Sequence, residues 1–155
     1  MIKLRNREII IVEGMQKELG CLVIRANQTA RVPPYPYVSY NVITPISANL
    51  GTWGQYDDGK ERKPFNQTWS FTVQSDDCIQ SMELAIKARD YLEHVGTVYL
   101  NDNDIIVESV GNVTNRDNLL TIEYEYRNGF DVTFWLLNEV DDTRVKTGTI
   151  ENVEF

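Results

Sequence analysis

The sequence predicts an α+β fold, an antiparallel β-sheet packed against two helices in the order α-β-β-α-β-β-β. Three observations carry that expectation. Apolar residues recur at helical spacing over residues 6–19 and 76–95. Strand-like alternation marks Val38–Val42 and Phe65–Gln74. The chain after residue 98 reads as short apolar runs separated by polar turns, and helices grouped against such a meander give a layered α+β domain.

The first helix has Ile11, Met15 and Leu19 on one face, Asn6 as its N-cap and Gly20 as its C′ residue. Cys21–Arg25 follows as a short strand. Pro33-Pro34 and Tyr35-Pro36-Tyr37 lead into a strand whose Val38, Tyr40 and Val42 share a face. Residues 47–64 read as a long connection with glycines at 51, 54 and 59 and a tip at Asp57-Asp58-Gly59-Lys60. In the next strand Trp69, Phe71 and Val73 oppose Thr68, Ser70 and Thr72. Ser75 is expected to cap the second helix, with Asp76 and Asp77 at the positive end of its dipole. Its buried stripe should be Cys78, Met82, Ala85, Leu92 and Val95, flanked by Ile79 and Ile86, and Gly96 should stop it. Val98–Leu100 and Ile105–Val110 read as strands around an Asn101–Asp104 turn. Leu120–Tyr126 and Phe130–Leu137 read as a hairpin turning at Arg127-Asn128-Gly129. The tail, 141–155, is polar.

A chain of 155 residues with 42% apolar and 25% charged residues can form one domain with a real core. Its net charge of −8 argues against general nucleic-acid binding, which needs a basic footprint. Residues 1–34 carry six Lys/Arg against three Glu, and the remainder nine against twenty Asp/Glu, so a basic end meets an acidic body. Cys21 and Cys78 are too few for a disulfide framework and read as small buried residues. No stretch reads as a secretory signal or a membrane span.

No residue set stands out as catalytic. His94 is the single histidine, placed to meet helix-end carbonyls. Asp102-Asn103-Asp104 lacks the glycine and terminal Glu of a calcium loop, and Gly51-Thr52-Trp53-Gly54 lacks the lysine of a phosphate loop. The expectation is no enzyme, no metal and no cofactor. Aromatics at 35, 37, 40, 53, 56, 65 and 69 crowd the first half. They serve either to pack the sheet or to anchor a protein interface, where Tyr and Trp are enriched.

The segment Pro34-Tyr35-Pro36-Tyr37-Val38-Ser39-Tyr40-Asn41-Val42-Ile43, followed by Thr68–Val73, a helix over 76–95 and a closing hairpin over 118–138, resembles the phage tail or neck terminator proteins. The resemblance spans roughly residues 5–140 and leaves the tail aside. It implies a virion subunit of a tailed phage or phage-derived particle, assembled in the host cytoplasm. Such a subunit would form a ring, often a hexamer, at the head-proximal end of the tail. Expected partners are further copies of itself, the tail tube protein and a neck or head-completion protein. DNA would pass through without specific binding, and no membrane is involved. A neck or head-completion connector is a close alternative; a small carbohydrate-binding module or a hydrolase is a distant one. The expected interface residues are Tyr35, Tyr37, Tyr40, Trp53, Tyr56, Asp57, Asp58, Lys60, Arg62, Arg144 and Lys146, with the 47–64 loop and the 141–155 tail reaching neighbours.

Overall fold

The computed structural model describes residues 4–27, 31–47, 53–55, 59–118 and 125–141. Its helices are α1 (Leu4–Leu19), α2 (Cys78–Asp90) and α3 (Thr97–Asp102). Its strands are β1 (Leu22–Arg25), β2 (Tyr37–Ser47), β3 (Gly54–Gln55), β4 (Lys60–Ser75), β5 (Ile106–Val110), β6 (Thr114–Asn115) and β7 (Tyr126–Asp141). They form one sheet in the order β1-β2-β4-β7-β5, with β3 beside β4 and β6 beside β7. The α+β class stands. The sheet is mixed rather than purely antiparallel, because β1 runs parallel to β2.

Alternation in β2, β4 and β7 sends Val38, Tyr40, Trp69, Phe71, Val73, Phe130, Val132 and Phe134 to one face. That face meets Ile11 and Met15 of α1 and Ala85 and Ala88 of α2, giving one core. Trp69 stacks on Tyr40 at 5.1 Å and meets Phe134 edge-on at 5.5 Å, geometries that favour the ring quadrupoles. Its indole N–H donates to Gln67 Oε1 at 2.8 Å, and the Gln67 amide donates to the Pro45 carbonyl. The Trp69 indole and the Gln67 amide are thereby satisfied.

The first helix buries Ile11, Met15 and Leu19, as its spacing requires. It already includes Leu4, so Asn6 lies inside the helix rather than capping it. Gly20 closes it at φ +71°, with its N–H on the Gln16 carbonyl.

The second helical region departs further from expectation. Asp77 caps α2, accepting from the N–H groups of Ile79 and Gln80, while Ser75 Oγ accepts from the Asp77 N–H. The buried face is Ser81, Ala85, Ala88, Tyr91 and Leu92. Ala85 and Leu92 of the anticipated stripe are buried, but Cys78, Ile79, Met82, Ile86 and Val95 are exposed, so the true face is rotated toward Ser81 and Ala88. Small residues win the core side because the helix lies close to β4 and β7. Ser81 Oγ donates to the Val73 carbonyl at 3.0 Å there, a contact no bulky side chain could allow. A π turn, Tyr91–Val95, follows, and the chain resumes as α3 beyond Gly96. The Tyr91 ring occupies the space that a β-carbon on Gly14 or Gly96 would need. Val98–Leu100 is thus helix, not strand: the Leu100 N–H donates to the Gly96 carbonyl. The Asn101–Asp104 stretch is the end of α3, where Asp104 at φ +60° and the Ile105 N–H on the Leu100 carbonyl make a Schellman closure.

The hairpin expected at Asn128-Gly129 is not a turn. The two residues sit inside β7, paired with Val73 and Thr72 of β4 and with β6. Both have tertiary reasons to be there. Asn128 is buried and its amide donates to Ser81 Oγ at 3.0 Å. Gly129 lies beneath the Arg116 side chain, whose Nη1 would be 2.9 Å from any β-carbon placed there, and against the Phe71 carbonyl.

Candidate functional site

The β4–β7 ladder runs unbroken from Ser75↔Tyr126 to Lys60↔Asp141. The last buried hydrophobic pair is Phe65↔Leu136. Beyond it Lys60–Pro64 and Leu137–Asp141 continue the β4–β7 ladder for about 17 Å. β3 lies beside this extension, with Gly54 opposite Arg62 and Gln55 opposite Glu61. The segment expected as a long loop is therefore a β arm over residues 53–55 and 60–64. Lys60 and Arg62 both pair with Glu139, at 3.7 and 2.5 Å, across the two main strands of the arm. The arm end of the sheet exposes large apolar side chains: Ile43 is 49% exposed, Ile46 63% and Trp53 38%.

Three of the four expected interface tyrosines, Tyr35, Tyr37 and Tyr40, divide between the faces of the sheet. Tyr40 is 5% exposed, stacked on Trp69, and its hydroxyl donates to Glu8 Oε1. It is a core residue with almost no ring area for a partner. Burial first, and then the Glu8 carboxylate, push its hydroxyl up to about 12. Partial burial pulls the Glu8 carboxyl upward, but the Tyr40 hydroxyl and the Arg25 guanidinium outweigh it and hold Glu8 below its ordinary range.

Tyr35 and Tyr37 stack on each other at 5.9 Å on the opposite, helix-free side. The Tyr35 hydroxyl donates to Glu125 Oε1 at 3.0 Å, and Arg127 Nε donates to Glu125 Oε2 at 2.7 Å. Burial, with the Glu125 charge behind it, raises the Tyr37 hydroxyl. The Tyr-Pro-Tyr segment thus clamps the chain ahead of β7, with the Tyr35 ring still partly exposed. Tyr56, Asp57, Asp58, Arg144 and Lys146 lie outside the described residues.

Sequence reasoning missed Arg116. It reaches over Gly129 and donates to Ser70 Oγ, Thr72 Oγ1 and Asp131 Oδ1 at 2.5, 3.1 and 2.9 Å. An arginine after a polar turn carries no local mark of that reach; the glycine beneath it was the available signal.

Among the described residues no three His, Cys, Asp or Glu side chains converge as a metal site, and no helix is long and apolar enough to cross a membrane. What the geometry presents is surface: a projecting arm, exposed apolar side chains and a polar sheet face. This defines an α+β domain suited to assembly.

The family model for phage neck terminator proteins matches residues 9–155. The chain belongs to that family, and is accordingly a structural component of a phage neck or tail. No curated protein matches the sequence. The match continues through residues 141–155, which the shorter resemblance had left aside.

Proposed function

We propose that the chain is a ring-forming terminator subunit at the head-proximal end of a phage tail. The ring, most simply a hexamer, stops tube growth and offers its upper surface to a neck or head-completion protein. The observation that carries this reading is the β arm. A domain folding for itself gains nothing from about 17 Å of ladder beyond its last core pair. Apolar side chains at that end, left in water, favour burial against another protein surface. A closed ring needs heterologous contacts, in which one patch meets a different patch on the next copy. An arm projecting from one end of the sheet supplies such an asymmetric contact. DNA passes the acidic body without specific binding, since like charge keeps phosphates from adhering. Family membership favours this over sugar binding, for which the partly exposed Trp53 speaks.

The test is native mass spectrometry of the purified chain, alone and mixed with assembled tail tubes. A closed oligomer of about six copies, free or on tube ends, is the expected result. A chain that stays monomeric at high concentration and ignores tube ends overturns the proposal.

A further inference from the structure

The helix-free face of the sheet carries a groove of about 410 Å³ at the end away from the arm. Its floor includes Thr72 and Gln74 of β4, and Arg31, Arg116 and Arg127 contribute cationic groups to its lining. Arg116 is answered by Asp131 and Arg127 by Glu125. Arg31 is exposed and has no hydrogen-bond or ion-pair partner among the described residues. Among the described lining residues the balance of charge is therefore positive, in a chain of net charge −8. Ile24 and Val32, the latter 64% exposed, add an apolar strip to its lining. Guanidinium groups beside apolar surface suit a peptide segment that carries carboxylates between apolar residues.

We infer that this groove receives residues 150–155, Ile-Glu-Asn-Val-Glu-Phe, of a neighbouring copy; the inference rests on the ring proposed above. The segment has two glutamates, no basic residue and three large apolar side chains, matching the groove in both charge and character. The last described residue of β7, Asp141, lies on the arm, and Arg127 lies fourteen residues back, about 46 Å along the strand. Ten residues join Asp141 to Glu151 and span at most about 36 Å. The segment therefore meets its own groove only with those residues near full extension, which is costly in chain entropy. In a ring, the groove of the next copy removes that demand.

The test begins with the full chain and a blocked, fluorescent peptide of residues 148–155. Binding by the wild-type protein that falls at least tenfold with Arg31→Glu, and equally when both peptide glutamates become lysine, supports the inference. Equal binding in all three pairings overturns it, as does Arg31-dependent capture of a short DNA duplex with none of the peptide. This readout needs no ring, so it separates failure of the groove from failure of the ring. Where the wild type assembles, Arg31→Glu and the Glu151→Lys/Glu154→Lys pair should each lower assembly at least tenfold. Combining them should restore it. Loss without restoration, or no loss at all, counts against the inference.

Discussion

The two ends of the β4–β7 ladder are made from the same pair of strands and live in different surroundings. At one end, Phe71, Val73, Phe130 and Val132 are sealed beneath α1 and α2. At the other, Lys60–Pro64 and Leu137–Val140 are only partly covered and contribute nothing to the buried core cluster. The first end shows what a strand pair needs to fold: one apolar face and a layer to cover it. The second end keeps its hydrogen bonds without that layer. Its length makes sense when a further molecule supplies the missing cover.

The contrast can be broken by substitution, starting where the effect is greatest. Phe71→Ala empties the centre of the covered end and should cost about 3–5 kcal/mol in urea unfolding. Gly129→Ala forces a methyl against the Phe71 carbonyl and Arg116, and should cost about 1–3 kcal/mol by the same measurement. Were Asn128-Gly129 merely a loose turn, that change would be nearly silent. Asp77→Ala removes the α2 cap and should cost about 1 kcal/mol.

Smaller still is the Glu8 contribution, which has a pH signature. Its carboxyl titrates lower in the folded than in the unfolded chain, so its stabilisation is present above about pH 4.3 and fades as acid passes below its folded value. The stability gap between wild type and Glu8→Gln should therefore close in acid. A gap that widens as pH falls would reverse the assignment. Least affected is the arm: Ile46→Asp should move monomer stability by no more than about 0.5 kcal/mol, since that side chain is already in water.

Local pattern carried the covered end well. The β4 alternation and the α1 spacing followed from sequence because each had one unambiguous face. The α2 stripe followed only in part: Ala85 and Leu92 are buried as expected, but Ser81 and Ala88 are chosen for closeness to the sheet, and hydropathy alone rewards Ile79 and Met82 instead. The Asn128-Gly129 turn was misread for a similar reason. Its residues answer to Ser81 and Arg116, distant in sequence, rather than to the local backbone. At the candidate surface, Trp53, Lys60 and Arg62 were legible as a group, yet as a loop. The ladder to Glu139 and Asp141 that makes them an arm is a long-range pairing. Tyr40 shared a motif with Tyr35 and Tyr37, but strand alternation sends it to the other face.

The most direct measurement is native mass spectrometry of the wild-type chain beside an arm variant carrying Ile46→Asp and Trp53→Ser, both checked for unchanged thermal unfolding. The account predicts a closed ring for the wild type and a folded monomer for the variant. A variant that forms the same ring at the same concentration would contradict it, because assembly would then owe nothing to the arm.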